Sequence, residues 1–134
     1  MKFLFSIFLA LFAIAQEIEI INGKKDKFSE KNIYILKCSN TKDPFDNKVH
    51  YFCGTTLKNF VQNVCKKKNI IKFVAYDDYE TTFTIKEIND ESIILAFQSD
   101  NRQIPPRIVY TKKNYPQTTI YKKSIFLIQK AVCK

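Results

Sequence analysis

The chain has few of the residues that build metal sites or loose backbone. Among its 134 residues there are one histidine, His50, and two glycines, Gly23 and Gly54. One histidine does not easily complete a metal site, and the cysteines lack the spacing of zinc ligands. Scarce glycine and an apolar content of 46% predict a packed globular domain rather than a disordered chain. We therefore expect neither a metal nor a cofactor.

The one long apolar run lies at the start of the chain. Lys2 precedes the apolar residues 3–14, and Ala13-Ile14-Ala15 fits a cleavage site for export. Such a run is too short to span a bilayer stably. The sequence predicts a secretory signal peptide at residues 1–15 and a single mature domain at residues 16–134, which we expect to be secreted and monomeric.

Basic residues outnumber acidic residues. There are 22 Lys and Arg against 13 Asp and Glu, and removal of Lys2 with the signal peptide leaves a net charge of +8. This excess favours polyanions such as RNA or an anionic membrane, but it also serves solubility alone. The chain has four cysteines, and an even number in an exported protein predicts two disulfides with three alternative pairings. They are Cys38, Cys53, Cys65 and Cys133.

The first half of the mature chain predicts a hairpin and a helix. Turn-forming residues at 43–47 separate two β-prone segments, so residues 33–53 predict an N-terminal hairpin. Apolar residues then recur with helical spacing from Leu57 to Cys65, after Thr55 or Thr56 as the cap. The sequence therefore predicts one α-helix directly after the hairpin.

The remainder of the chain is rich in β-branched and aromatic residues. Strands are predicted over most of residues 70–133, including 81–88 and 118–122. Pro105-Pro106 is expected to break the chain before one of these strands. The predicted fold class is α+β, with one α-helix packed on an antiparallel β-sheet.

An aromatic-x-Cys motif, Tyr51-Phe52-Cys53, precedes the predicted helix, and Cys133 stands near the C-terminus. This order resembles the fungal guanyl-specific ribonucleases, and more closely the ribonuclease-like secreted effectors of powdery mildew fungi. The resemblance covers roughly residues 49–134. It implies a microbial ribonuclease-like fold with a disulfide from Cys53 to Cys133, which leaves Cys38 to pair with Cys65.

In the ribonucleases of this family, a strand arginine is followed by a catalytic histidine and then by the closing cysteine. Arg107, Lys122 and Cys133 keep the corresponding spacings of fifteen and eleven residues, but a lysine takes the place of the acid. The reference pKa of lysine, about 10.4, suits proton transfer at neutral pH poorly. Residues 92–98, which resemble the strand of the catalytic base, contain no carboxylate. The resemblance therefore implies a protein without catalytic residues.

What the resemblance implies is an effector of a plant-pathogenic fungus that enters host cells and acts by binding. Its partners would be a host plant protein, a nucleotide-binding leucine-rich-repeat receptor that recognises it as an avirulence determinant, or RNA. An alternative is an active ribonuclease with rearranged groups, in which Asp78 is the base and Arg107 contacts phosphate. A third alternative, action on membranes, is disfavoured because the apolar side of the predicted helix should be buried.

Aromatic and basic residues that could stack on bases and neutralise phosphates are the candidate RNA-binding set. They are Tyr76, Tyr79, Arg107, Tyr121, Lys122 and Lys123. The alternative is that the tyrosines pack on strands and that Arg107 pairs with a nearby acid. We expect His50 to be an ordinary strand residue, and Lys66-Lys67-Lys68 to close the helix or to contact phosphate.

Overall fold

The computed structural model describes residues 17–22, 24–28, 36–65 and 69–134. Within these ranges the chain forms nine β-strands in two sheets and three α-helices. The α+β class is confirmed, but there is more sheet and more helix than the sequence predicted. The predicted signal peptide, residues 33–35 of the predicted hairpin and the triplet Lys66-Lys67-Lys68 lie outside the described residues.

The first sheet has five strands and joins the two ends of the described chain. Its members are β1 (Ile18–Asn22), β2 (Lys24–Phe28), β5 (Ile71–Ala75), β6 (Glu80–Phe83) and β9 (Ile128–Cys133). They are arranged in the order β2-β1-β9-β5-β6. β1 and β9 run parallel, with Ile20 opposite Ala131, whereas the other neighbours are antiparallel. The prediction of a wholly antiparallel sheet is therefore wrong.

The second sheet has four antiparallel strands. They are β3 (Lys37–Lys42), β4 (Val49–Thr56), β7 (Ile93–Ser99) and β8 (Arg102–Tyr110), in the order β3-β4-β7-β8. β3 and β4 form a hairpin around the turn at residues 43–48, so this part of the predicted hairpin is confirmed. The predicted break at Pro105-Pro106 is wrong, because both prolines lie within β8. β8 is an edge strand, where a missing N–H need not interrupt the sheet.

The helices are α1 (Leu57–Val64), α2 (Ile85–Ile88) and α3 (Gln117–Lys123). α1 is the predicted helix: the Thr56 hydroxyl caps it by accepting a hydrogen bond from the Asn59 N–H at 3.0 Å. Its buried residues are Leu57, Phe60 and Val61. Among the described residues, no helix has the length and apolar character needed to cross a membrane.

Two segments predicted as strands are helical instead. Residues 85–88 form α2, where the Glu87 carboxylate accepts a hydrogen bond from the Thr84 N–H at 3.4 Å and so caps the first turn. Residues 118–122 lie in α3, which follows Pro116 and buries only Ile120. Local capping of α2, and in α3 the burial of Ile120, override the β propensity of threonine and isoleucine.

β7 is covered on both faces. Its residues Ile93–Phe97 are all buried, and alternate side chains enter two different apolar clusters. Gly54 of β4 lies beside this neighbouring strand at a β-bulge. A Cβ added there would overlap the Leu95 carbonyl oxygen and lie 2.6 Å from the Ala96 Cα. The close approach of β4 to β7 therefore requires glycine at this position.

The two disulfides pair differently from the resemblance. Cys38 is bonded to Cys53, and Cys65 is bonded to Cys133. The implied Cys53–Cys133 and Cys38–Cys65 pairs are therefore wrong. The physical reason is register, because Cys38 and Cys53 lie directly opposite each other in the β3–β4 hairpin with Cα atoms 4.1 Å apart.

We predict that tryptic digestion of the unreduced protein yields two linked pairs of peptides. Residues 38–42 should be joined to residues 49–58, and residues 59–66 to residues 131–134. Mass spectrometry before and after reduction checks the result. A link between 49–58 and 131–134 would contradict the fold.

Because the Cys65–Cys133 disulfide closes the longer loop, replacing that pair with alanine should lower the free energy of unfolding by about 4 kcal/mol, against about 3 kcal/mol for the other pair.

Candidate functional site

Four exposed aromatic side chains line one cavity of about 180 Å³. They are Phe45 in the β3–β4 turn, Tyr79 in the β5–β6 turn, Tyr121 on α3 and Phe126 between α3 and β9. We call these four residues the aromatic cluster. Each of them is between 42% and 56% exposed. Connections that are distant in the sequence therefore meet at one surface.

The rings of the aromatic cluster stand at angles to one another. The Phe45 ring centroid lies 5.1 Å from that of Tyr121, with an interplanar angle of 48°. It also lies 5.1 Å from the Phe126 centroid, at 71°. The Tyr79 hydroxyl donates a hydrogen bond to the Lys122 carbonyl oxygen at 2.6 Å, which ties the β5–β6 turn to α3. The rings therefore form walls around the cavity rather than a parallel stack.

Arg107 supports the turn that carries Phe45. Its Nη1 and Nη2 atoms each lie 3.0 Å from a carboxylate oxygen of Asp43, and the two side chains are only 14% and 9% exposed. The guanidinium also lies over two rings, 4.9 Å from the Phe52 centroid and 5.8 Å from the Phe45 centroid. Of the two alternatives for Arg107, the structure contains the ion pair with an acid.

Asp43 organises the same turn from the other side. Its Oδ1 atom accepts a hydrogen bond from the Phe45 N–H at 3.0 Å, and its carbonyl oxygen accepts one from the Asn47 N–H at 2.9 Å. Within the described residues, Arg107 Nε is buried without a hydrogen-bond partner. The pair of Asp43 and Arg107 therefore fixes the turn at the cost of one unsatisfied donor.

His50 connects two turns through its ring. Its Nδ1 lies 2.6 Å from Asp100 Oδ2, and its Nε2 lies 2.5 Å from Asp46 Oδ2. Two carboxylate partners require a donor on each nitrogen, so this geometry favours the imidazolium. Hydrogen bonds to Asp100 and then to Asp46 raise the pKa of His50 above its ordinary value of 6.5. As predicted, His50 is a partly exposed residue of a strand, and its side chain in addition clamps two turns.

The pKa values of the two partner carboxylates shift in the opposite direction. The pKa of Asp46 is lowered from 3.8 by the Lys48 N–H and then by His50. The pKa of Asp100 is lowered from the same value by the Tyr51 N–H and then by His50. Between pH values of 3.8 and 6.5 both carboxylates are charged and His50 carries its proton, so the clamp is an ion pair on each side.

The predicted RNA-binding residues divide into three groups. Tyr79, Tyr121 and Lys122 all line the cavity of the aromatic cluster. Lys123 instead binds Glu87, with its Nζ 2.7 Å from Oε1, and Arg107 binds Asp43. Tyr76 is exposed, but it does not line this cavity. RNA binding by these residues stays a prediction, but two of the cations are already paired with carboxylates.

Glu87 also acts on a buried tyrosine. The Tyr110 hydroxyl donates a hydrogen bond to its Oε2 atom at 3.4 Å. Burial, and then the charge of Glu87, raises the pKa of Tyr110 well above its ordinary value of 10.0. Lys123 Nζ donates a hydrogen bond to Glu87 and also lies 5.1 Å from the centroid of the Phe83 ring. These contacts hold α3 against the body of the domain and so position Tyr121.

The sequence did not predict Phe45 or Phe126 as site residues. A large apolar residue within the turn sequence Asp43-Pro44-Phe45-Asp46 is an available signal, because turns are usually polar. Phe126 offers a weaker signal, since it lies in an apolar run that reads equally well as a buried strand.

A second cavity, of about 390 Å³, is basic. It is lined by Lys42, Lys112 and Lys113 together with neutral residues, and no carboxylate is among its lining residues. We call this cavity the basic groove. Its lysines were not among the candidate residues, because their positions at 42 and 112–113 are far apart in the sequence.

Three side chains have the chemistry of metal ligands. The ligand atoms of Asp43, Asp46 and His50 lie within 4.8 Å of one another. Each is already engaged: Asp43 with Arg107, and Asp46 and His50 with each other. A guanidinium 3.0 Å from Asp43 opposes a cation there, so the group does not fit a metal well in this arrangement.

No family model matches the chain, and no curated protein matches it. Among solved structures, the chain is similar to the sulfane dehydrogenase SoxCD from Paracoccus pantotrophus, with a TM-score of 0.62 and 10% sequence identity. The match covers 89% of this chain and 38% of that chain, so this protein spans well under half of its length. At this identity the likeness shows a shared fold alone.

We predict that Asp43→Ala lowers the free energy of unfolding by about 3–5 kcal/mol, because it leaves the largely buried Arg107 charge without its partner. Urea unfolding measures the change. The control is Glu80→Ala, which breaks the more exposed pair with Lys72 and should cost under about 1 kcal/mol. Equal losses for the two variants would contradict a special role for Asp43.

We predict that His50 stabilises the fold most between the ordinary pKa values of Asp, 3.8, and His, 6.5. Its raised pKa means that its contribution is complete below 6.5 and is lost as pH rises through the folded-state pKa. The lowered pKa values of Asp46 and Asp100 mean that their contribution is lost at acidic pH. NMR should place the titration of the single histidine above 6.5, and the stability difference from His50→Gln should shrink at alkaline pH. A midpoint below 6.5 would refute the clamp.

Proposed function

We propose that this chain is an exported, non-catalytic binding protein that engages a partner protein through the aromatic cluster. The observation that carries the proposal is the cluster itself, with four rings each at least 42% exposed around one cavity. Exposed aromatic residues are enriched at protein interfaces, where they supply much of the binding energy. Soluble domains rarely leave such groups together on the surface without a partner.

Export is supported by the cysteines. Each of the four is in a disulfide, and disulfides form and persist in oxidising compartments. The predicted signal peptide agrees with this. Translocation into host cells, the plant-pathogen setting and recognition by an immune receptor are what the resemblance implies, and they stay predictions. The disulfide pairing gives that resemblance no support.

The absence of catalysis is supported by how the candidate acids and bases are engaged. His50, the sole histidine of the chain, has a carboxylate on each ring nitrogen. Of the residues lining the aromatic cavity, Asp77 and Lys122 alone carry a charge. No histidine is among the residues that line this cavity.

A protein partner fits the aromatic cavity better than RNA does. One carboxylate and one ammonium line it, so the lining carries no excess positive charge for a phosphate backbone. The largely apolar walls favour a buried side chain instead. RNA is a second candidate at a different place, because the basic groove brings Lys42, Lys112 and Lys113 together without a lining carboxylate.

We predict that the double variant Tyr121→Ala/Phe126→Ala loses the partner while it keeps the fold. Loss of a central aromatic residue costs about 2 kcal/mol, or about 30-fold in Kd, per residue. The oxidised protein would be used to capture proteins from plant tissue, and the Kd would then be measured with the purified partner.

The matched control is Val49→Ala/Tyr51→Ala. These residues are 64% and 40% exposed, and strand alternation places them on the opposite face of β4 from His50 and Phe52. The proposal would be refuted if the natural chain, the Tyr121→Ala/Phe126→Ala variant and the control all retained the same partner. Cleavage of RNA by the natural chain would refute it as well. Binding of RNA that weakens with added salt and with Lys112→Gln/Lys113→Gln would favour the second candidate.

A further inference from the structure

The cavity of the aromatic cluster has the shape of a cage. Three of its rings, those of Phe45, Tyr121 and Phe126, are inclined at 48° and 71° about the shared Phe45 ring, and Tyr79 adds a fourth wall. The Phe45 ring is parallel to neither Tyr121 nor Phe126, so these two pairs offer no slot in which a flat base could be sandwiched. Aromatic rings instead lie on several sides of one cavity. That arrangement attracts a cation.

The polar groups of the cavity narrow the class of cation. The Tyr79 hydroxyl donates to the Lys122 carbonyl oxygen, and the Ser124 hydroxyl donates to the Ile120 carbonyl oxygen. Asp77 is the one carboxylate among the lining residues, and its Oδ1 accepts from the Tyr79 N–H at 3.2 Å. An ordinary ammonium has three donors and a guanidinium has five. A site with few acceptors fits a cation whose donors have been replaced by methyl groups.

The size of the cavity agrees with a single side-chain head group. Its volume is about 180 Å³. That is too small for a drug-sized ligand, which needs about 300 Å³ or more. The occupant is therefore one compact group, with the remainder of its molecule outside the cavity.

We infer that the aromatic cluster binds the methylated ammonium group of a lysine side chain on the partner protein. This inference rests on the proposed function and adds the chemistry that the partner presents. Apolar walls accept the methyl groups, the ring faces stabilise the charge, and Asp77 complements it. The net charge of +8 on the exported chain opposes any cation, but its more distant charges are screened beyond about 8 Å at physiological salt.

The test is an NMR titration of the oxidised protein with three probes: N-acetyl-trimethyllysine amide, its unmethylated form, and a neutral analogue in which carbon replaces the ammonium nitrogen. We expect the trimethyllysine probe to bind about 2- to 30-fold more tightly than the neutral analogue, which is the range of a cation–π contribution. It should also bind more tightly than unmethylated lysine. Equal affinity of the charged and neutral probes would overturn the inference.

Two sets of variants sharpen the test. Tyr121→Leu keeps apolar surface but removes one ring, and it should abolish the preference for the charged probe, whereas Tyr51→Leu outside the cluster should keep it.

Asp77→Asn should weaken binding of the trimethyllysine probe, because it removes a complementary charge. Lys122→Gln should strengthen binding, because it removes a repelling charge. An anionic ligand requires the opposite signs, so opposite results would overturn the inference.

The outcomes also separate this inference from the proposed function. If no probe binds, but Tyr121→Ala/Phe126→Ala still loses the partner, the cage is refuted and the docking surface stands. If the trimethyllysine probe binds with the expected preference, but the same double variant keeps the partner, the cation chemistry of the cavity stands, whereas the docking surface and the assignment of the lysine to that partner are refuted. Competition of the probe with the partner supports both.

Discussion

The ion pair between Arg107 and Asp43 is the contact on which the candidate site depends. It joins β8 to the β3–β4 turn, with both guanidinium Nη atoms 3.0 Å from carboxylate oxygens. The same carboxylate accepts the Phe45 N–H, so the pair sets the position of that ring as well as of the turn. Phe45 contacts both Tyr121 and Phe126 and thereby connects the walls of the cavity. Loss of this pair would remove one of the contacts that position the turn, beside the His50–Asp46 ion pair and the ring contacts of Phe45.

The disulfides support the same site from two directions. Cys38–Cys53 joins the two strands that flank the turn bearing Phe45, and Cys65–Cys133 joins the end of α1 to β9, the strand that follows Phe126. The first disulfide therefore limits the motion of the strands around the turn that carries Phe45, and the second anchors the strand that follows Phe126. A binding site made from loops gains affinity when its loops are held in the bound arrangement before binding. The two disulfides and the ion pair hold the loops in this way without placing additional groups in the cavity.

Local signals in the sequence were sufficient for the β3–β4 hairpin, for α1 and for the strands β5 and β7. In each of these, periodicity, capping residues and burial agree. Residues 118–122 were misassigned because their threonines favour strands, whereas the helix depends on Ile120 and on the contact of Lys123 with Glu87. The disulfide pairing depends on which cysteines face each other across a ladder, and the resemblance could not supply that register. The partner of Arg107 is 64 residues away, so spacing could not identify Asp43.

The geometry around Arg107 also bears on the alternative that the protein is an active ribonuclease. An active ribonuclease built on Arg107 and Asp78 would need a free guanidinium for the phosphate. Here that guanidinium is 14% exposed and already neutralised, and freeing it would leave the Asp43 carboxylate unpaired in a largely buried place. Asp78 is not among the residues that line the cavity. The charges that could assist catalysis are used to hold loops in place, whereas the exposed groups at the cavity are mainly rings. A surface of that composition agrees with the proposed recognition of a partner protein.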